Sequence, residues 1–273
     1  MRRLIAVLTD YGLKDHYAGH LRAVIKKVCP EAEVVDITHS IPKYNITLGA
    51  HVLKISRKYF PKGTVFLAVV DPEVGGARRN LLLKTRDYMY VGPDNGILLP
   101  AALGDELEAY EILIDKVRLF EVTPTFHGRD VYAPAAAMVA CGVRPDSIGS
   151  PTPRDTLKQP PLNLSWVEPV KEGLRAKVVH VDDFGNVVTS ACGKDLEEAL
   201  NLRLGDEVIF TMDGREWHGA RYVDTFSRVK AGEFAIYEGS YELVEIAKYM
   251  GSAADELRGA EVIFRNPALR QPA

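Results

Sequence analysis

TVFLAVVDP, residues 64–72, is the stretch that decides the fold class, because an unbroken apolar run ends abruptly at an acidic residue and a proline. The run lacks the polar alternation of a half-exposed strand and is typical of a central parallel strand that helices cover on both faces. Polar residues that follow such strands lie at the carboxyl edge of the sheet, where open α/β sheets bind ligands. Asp71 is therefore the first candidate for a functional residue.

Strand and helix patterns alternate upstream of this run, at residues 4–8, 16–28, 33–37 and 48–59. Short apolar strands that alternate with amphipathic stretches predict βαβ units and a mainly parallel sheet. By the same positional reasoning, Asp10 and Asp36 join Asp71 at the carboxyl edge.

The pattern changes after residues 147–169, a stretch that is rich in proline and has no periodicity. Short β-type segments separated by turn residues follow, and Asp213-Gly214 between two of them is a good hairpin turn. We therefore predict an α/β domain over residues 1–163, with a linker from about residue 147, and a smaller, mainly antiparallel β domain over residues 164–273. The second domain is a small barrel or a sandwich with one helix near residues 195–199.

Composition favours a small-molecule partner. The 273 residues are 47% hydrophobic and 26% charged, which excludes wholesale disorder, and a formal charge of −3 provides no pull towards nucleic acid or a membrane surface. Cys29, Cys141 and Cys192 lie far apart without CxxC spacing, so we expect neither a disulfide framework nor a thiolate zinc site, and we expect a cytoplasmic location. The histidines offer only one i, i+4 pair and no recognisable ligand set, so no metal and no cofactor are expected.

Three polar clusters of the first domain carry candidate chemistry. Asp10, with Asp15 five residues later, follows the first strand and either binds the vicinal hydroxyls of a ribose or caps the next helix. Asp71 and Arg78 flank two glycines, so they either orient a water or form a structural ion pair. His127 precedes a helix of small residues, and a histidine there titrates near physiological pH.

In the second domain, the run Asp182-Asp183-Phe184-Gly185-Asn186 lies between two β-type segments. Its residue types favour a hairpin loop. Alternatively, the ring of Phe184 and the amide of Asn186 present a stacking surface and a hydrogen-bonding edge to a purine.

Six motifs resemble, in order, those of the S-adenosyl-L-methionine hydroxide adenosyltransferase family, which is related to fluorinase and chlorinase. They are TDYG at Asp10, VVDPEVGGARR at Asp71, GPDNG at Asp94, TFHGRDVYAP at His127, VDDFGN at Asp182 and GSYELVEIA at Ser240. The resemblance implies an N-terminal α/β domain, a C-terminal β-barrel and a homotrimer that binds S-adenosylmethionine between neighbouring subunits. It also implies a reaction in which water or hydroxide attacks ribose C5′ and yields adenosine and L-methionine.

The resemblance assigns Asp71, Arg78 and His127 to water activation, with neutral His127 accepting a proton from the attacking water. Where halide-using relatives are expected to carry hydroxyl-bearing side chains, this chain has Asp71, Val74 and Gly128, which favours water over halide. The alternatives are a halogenase that uses chloride on the same substrate and a non-catalytic sensor of S-adenosylmethionine or adenosine.

The resemblance also implies contacts with each part of the substrate. These are Asp10 on the ribose hydroxyls, Tyr44 against the sugar, Asp15 and Asp182 near the ammonium, Ser240 near the carboxylate, Asn186 on the adenine edge with Phe184 or Phe226 over its face, and the backbone of Lys248 and Met250 near the adenine. Tyr241 stands where halogenating relatives have an arginine, which weakens carboxylate binding or leaves it to another residue.

Overall fold

The computed structural model describes residues 3–104, 106–161 and 165–268. The chain divides into two compact units, residues 1–162 and 163–273. The boundary predicted between residues 163 and 164 lies outside the described residues.

The first unit contains a seven-stranded sheet with helices on both faces. Its strands are β1 (Leu4–Thr9), β2 (Glu33–Thr38), β3 (Val65–Val69), β4 (Asn80–Lys84), β5 (Met89–Pro93), β6 (Glu108–Ile112) and β7 (Gly149–Pro151). Its helices are α1 (Tyr17–Val28), α2 (Ile46–Ser56), α3 (Leu99–Ala102), α4 (Ile114–Val117), α5 (Ala133–Ala140) and α6 (Pro145–Ile148). The strand order is β2-β1-β3-β5-β4-β6-β7; the pairs from β2 to β5 are parallel and the remaining pairs are antiparallel.

The central strand β3 is buried along its whole length, as its unbroken apolar sequence predicts. Val65, Leu67 and Val69 pack on one face of the sheet in the same cluster as residues of α1 and α5. Phe66 and Ala68 pack on the other face with residues of α2 and α3. This double coverage confirms the α/β prediction and leaves the carboxyl ends of β1 and β3 side by side.

The second unit is a β-barrel. Its strands are β8 (Val167–Val170), β9 (Gly173–Val181), β10 (Val187–Thr189), β11 (Glu207–Met212), β12 (Trp217–Tyr222), β13 (Phe234–Glu238), β14 (Val244–Lys248) and β15 (Glu261–Arg265), and its helix is α7 (Gly193–Leu200). Seven strands follow the order β10-β14-β13-β12-β11-β15-β9, and the pairing of β9 with β10 closes the ring. All pairs are antiparallel except β12 with β13. Of the barrel and the sandwich expected from the sequence, the structure therefore has the barrel.

The expectation about cysteine pairing is wrong for two of the three residues. A disulfide joins Cys29, directly after α1, to Cys141, directly after α5. Sequence spacing gave no sign of this bond because 112 residues separate the two cysteines, and only the packing of α1 against α5 brings the helix ends together. In the part of the chain that the structure describes, no helix is long and apolar enough to cross a membrane.

Candidate active site

Asp71 and Arg78 form a buried pair at the carboxyl edge of the first sheet. Asp71 comes two residues after β3 ends, and both side chains are almost completely removed from solvent. Arg78 donates from Nε to Asp71 Oδ1 at 3.0 Å and from Nη2 to Oδ2 at 2.6 Å. This is the two-pronged geometry that a planar guanidinium makes with a carboxylate, so the orientation of the carboxylate is fixed.

His127 completes the cluster from a distant part of the chain. Arg78 Nη2 lies 3.0 Å from His127 Nδ1. Because a guanidinium only donates hydrogen bonds, Nδ1 must accept, and the proton of the neutral ring then sits on Nε2. Burial, followed by the charge of Arg78, lowers the pKa of His127 below its usual range, so the ring is neutral at pH 7.

A tight backbone approach brings these segments together. Gly75 has a φ of +77°, and a side chain there would overlap the carbonyl oxygen of Pro124. The loop after Asp71 thereby packs directly against the segment that leads into His127. A π-helical turn, Gly128–Tyr132, follows His127 and leads into α5; turns of this kind are frequent at functional sites.

A pocket of about 260 Å³ opens above Asp71, within the first unit. It is lined by Asp10, Tyr11, Asp15, Tyr17, Lys43, Tyr44, Val69, Asp71, Val74, Thr125, Phe126 and Gly128. Arg78 and His127 are buried and do not line it. Asp71 is therefore the member of the cluster that the pocket exposes to a ligand.

Tyr11 lies against Gly128 in the lining of the pocket. A side chain at residue 128 would overlap the Tyr11 hydroxyl, so this close approach requires glycine. The Tyr11 ring packs edge-on against Phe126, with centroids 5.7 Å apart. Burial, then the charges of Asp10 and Asp71, raises the pKa of Tyr11 far above its usual range, so its hydroxyl keeps its proton.

Asp10 is held at one side of the same pocket. Its Oδ2 accepts a hydrogen bond from the backbone N–H of Tyr44 at 3.0 Å, and its carbonyl oxygen accepts one from Lys43. Tyr44 adopts a φ of +67°, which is uncommon outside glycine, and its side chain is 69% exposed. Asp15 is also exposed at the rim. The structure thus gathers the predicted residues Asp10, Asp15, Tyr44 and Asp71 around one cavity.

In the second unit, Asp182 organises the loop between β9 and β10. Its Oδ1 accepts from the backbone N–H groups of Phe184 and Asn186 at 2.9 and 2.8 Å, and its Oδ2 accepts from Asn186 Nδ2 at 2.9 Å. The hairpin-loop interpretation is therefore correct for Asp182. The same bonds fix the Asn186 amide, and Phe184 is left 82% exposed at the tip of the loop.

The other predicted residues of this unit lie in neighbouring turns. Met250, just beyond β14, is 81% exposed, and a side chain at Gly185 would overlap Ser252, so these two loops touch. Phe226 lies in a 3-10 turn with its ring centroid 6.0 Å from that of Tyr249. Ser240 is exposed in the turn after β13, and the Lys248 side chain pairs with Glu256, so only its backbone is available for the predicted role.

Comparisons with known proteins give these clusters a family. Residues 5–149 match the N-terminal domain of S-adenosyl-L-methionine hydroxide adenosyltransferase, and residues 176–261 match its C-terminal domain. The chain belongs to this family. It is 39% identical to an (R)-S-adenosyl-L-methionine hydrolase of Salinispora tropica, over 93% of both chains, and 36% identical to one of Thermus thermophilus, over 93% of this chain and 95% of the other.

A solved structure extends the likeness to the whole fold. The crystal structure of an uncharacterized conserved protein from Thermotoga maritima matches with a TM-score of 0.83 and 35% identity, over 95% of this chain and 99% of that one. Proteins named fluorinase are more distant members of the comparison, at 26–28% identity.

The contacts that support Arg78 from behind were not predicted from the sequence. Arg78 Nη1 donates to Asn80 Oδ1 at 2.9 Å, and the Tyr132 hydroxyl donates to the same oxygen at 2.8 Å. Asn80 is the first residue of β4, two positions after Arg78, and only the structure shows that its side chain turns back to the guanidinium. Tyr132 gave no local signal, since it reaches Asn80 from 52 residues away.

One group of described residues has the spacing to hold a metal ion, and it lies outside the pocket. It consists of Cys29, Glu31 and Cys141, whose two sulfur atoms are already joined to each other. None of the three lines the pocket.

Proposed function

We propose that this protein hydrolyses S-adenosyl-L-methionine to adenosine and L-methionine. A water oxygen bonds to ribose C5′ while the C5′–S bond breaks, the bonding electron pair leaves on sulfur, and the water proton passes to the protein and then to solvent. One observation carries the proposal: Asp71, which Arg78 links to the buried His127, lines a pocket in a chain that is closely similar to proteins named (R)-S-adenosyl-L-methionine hydrolase.

Asp71 is the proton acceptor in this proposal. It lines the pocket, and its oxygen atoms keep lone pairs in addition to those used by Arg78. In this proposal His127 supports the pair rather than accepting the proton itself, because its Nδ1 faces Arg78 and the neutral ring then carries its proton on Nε2. Free water has a pKa near 15.7, so proton transfer accompanies attack rather than preceding it.

The sulfonium is a good leaving group, so the main task is to hold a water in line with the C5′–S bond at about 3–3.5 Å. Asp10 is placed to accept hydrogen bonds from the ribose hydroxyls, beside Tyr44. In the second unit, the ordered amide of Asn186 suits the adenine edge, with Phe184 or Phe226 over its face and Ser240 for the carboxylate. Asp182 acts chiefly by holding Asn186, so Asp15 carries more of the ammonium binding.

The cytoplasmic location expected from the sequence loses the support of the cysteines, because Cys29 and Cys141 are joined. We also propose that the protein works as a homotrimer, with each site completed by a neighbouring subunit. Tyr44, Phe184 and Met250 support this, because large apolar side chains that are 69–82% exposed in one chain become useful once another subunit covers them. Mixing Asp71→Ala with Asn186→Ala chains tests it, since reassembled oligomers should recover turnover. Absence of recovery despite proven subunit exchange would show that each chain builds its own site.

Neither alternative gains support from the site. The Asp71 carboxylate that lines the pocket repels chloride, and Gly128 offers an anion no hydroxyl. A sensor has no need for a buried carboxylate–guanidinium–imidazole cluster.

The test is direct. Purified protein is incubated with S-adenosyl-L-methionine in oxygen-18 water, and the products are separated by chromatography and weighed by mass spectrometry. We expect adenosine labelled at its 5′ oxygen, a loss of about 10²–10⁴ in turnover for Asp71→Asn, and full activity for Asp115→Asn, a matched change at an exposed carboxylate. Unlabelled adenosine, or 5′-chloroadenosine in the presence of chloride, would refute the proposal.

A further inference from the structure

A network of polar side chains lies behind the loop that carries Asp10, outside the pocket. Thr9 Oγ1 is 2.7 Å from His39 Nδ1, and His39 Nε2 is 3.2 Å from Asp36 Oδ1. Asp36 in turn pairs with Arg22 of α1. Thr9 and His39 are 0% and 3% exposed, so this part of the network lies in the interior.

The hydroxyl proton of Thr9 and the ring proton of His39 have one consistent arrangement. Thr9 Oγ1 accepts the backbone N–H of Tyr11 at 3.1 Å, so its own proton is free to bond to His39 Nδ1. The neutral ring then carries its proton on Nε2, which faces Asp36 at short distance but at a poor angle for a hydrogen bond. Burial, followed by the charge of Arg22, lowers the pKa of His39 to about 4, which keeps the ring neutral around pH 7.

The order hydroxyl, imidazole, carboxylate is that of a nucleophilic triad, but the structure excludes this use. Thr9 has no exposed surface and does not line the pocket, so no substrate carbon can reach its oxygen. The network of Thr9, His39 and Asp36 must therefore act through the backbone segments that it holds together.

That backbone carries the Asp10 carboxylate. The His39 carbonyl accepts from Gly12 N at 2.7 Å, and the Thr9 carbonyl accepts from Ile41 N at 3.3 Å. Together with the bond from Tyr44 N to Asp10 Oδ2, these contacts tie residues 9–12 to residues 39–44. The side-chain bond between Thr9 and His39 joins the same two segments.

We propose that His39 is a positioning residue that holds Asp10 in place to bind the vicinal hydroxyls of the substrate ribose. The inference rests on the proposed function for the identity of the ligand. It predicts a defect in recognising the two hydroxyls, whereas a merely structural histidine would affect stability alone.

The experiment compares the calorimetric affinities of adenosine and 2′,3′-dideoxyadenosine, which differ only in those hydroxyls. We expect the wild-type protein to prefer adenosine, and His39→Leu to lose about tenfold of that preference, the effect of about one hydrogen bond. The Michaelis constant for S-adenosylmethionine should rise by a similar factor while the turnover number changes less than about threefold. His39→Asn should retain most of the preference, because its side-chain oxygen can take the place of Nδ1.

Thr64→Val is the matched control, since it removes a buried hydroxyl that bonds to the Pro61 carbonyl near the opposite end of β3. It should lower stability without changing the preference. If His39→Leu does not fold, Thr9→Val removes the same bond from its other end and should give the same loss.

The two proposals fail in different ways. A wild-type protein that prefers adenosine but makes none from S-adenosylmethionine would contradict the proposed function and leave this inference standing. A wild-type protein that hydrolyses the substrate, together with His39→Leu and Thr9→Val variants that keep the full preference, would overturn the role of His39. Absence of any preference in the wild type would overturn it as well.

Discussion

Breaking the Cys29–Cys141 disulfide should destabilise the first unit while leaving the barrel unchanged. The bond closes a loop with a sequence separation of 112. The chain-entropy relation for such a loop gives about 16 cal/mol/K, or about 4.8 kcal/mol at 25 °C, as an upper value; measured effects are commonly 2–4 kcal/mol. The packing of α1 on α5 survives reduction because it also rests on buried apolar residues of both helices.

The two units can be followed separately in one urea titration. Both tryptophans, Trp166 and Trp217, belong to the second unit, so their fluorescence reports the barrel. The longest helices, α1 and α2, belong to the first unit and dominate the far-ultraviolet circular dichroism. With a urea m-value of about 2 kcal/mol/M, the circular dichroism midpoint should fall by about 1–2 M in reductant. The fluorescence midpoint should not move.

Cys141→Ser should reproduce the effect of reductant, and reductant should have no further effect on that variant. Cys192→Ser is the matched control, because Cys192 is the free cysteine. A circular dichroism midpoint that is the same with and without reductant would refute the reasoning.

Three further outcomes are expected. Gly128→Ala should lower the melting temperature and turnover, and Tyr11→Phe in the same chain should restore part of both. Removing the hydroxyl leaves the ring carbon of Tyr11, 3.2 Å from the new Cβ, as the nearest atom. A double-mutant cycle without coupling would contradict this. Arg78→Lys should reduce turnover by about 10² or more with little change in substrate affinity, since lysine lacks the planar fork that orients Asp71; single-turnover rates and calorimetry separate the two quantities. The free energy of unfolding should fall as the pH drops from about 6.5 towards about 4. In the unfolded chain His39 gains its proton near its usual pKa, whereas in the folded chain its pKa is about 4. Urea titrations at several pH values should show a flatter profile for His39→Asn.

The local sequence pattern predicts the structure correctly where a segment determines its own conformation. The apolar run of β3 predicts burial on both faces, because a strand without polar alternation has no side that tolerates water. Asp213-Gly214 predicts a hairpin turn, and both residues have positive φ, as a type I′ turn requires. The position of Asp10 and Asp71 at one edge follows from strand direction alone, since β1 and β3 are parallel.

The family resemblance went further than pattern, because six ordered motifs carry information that no single segment holds. It named Asp71, Arg78 and His127 together, and the structure places Asp71 and His127 each in contact with Arg78. It did not reveal which nitrogen of His127 carries the proton, because that depends on the donor that happens to face Nδ1.

The sequence by itself determined the two fold classes, the strand edge that holds the polar residues and the family. Only the tertiary structure decided the Cys29–Cys141 bond, the contact of Tyr11 with Gly128 and the link from Thr9 to His39. Sequence periodicity specifies which face of an element is buried, because burial depends on composition along one strand or helix. It does not specify which atoms meet across that interface, because segments separated by 30–117 residues meet only after the whole sheet and its helices have packed.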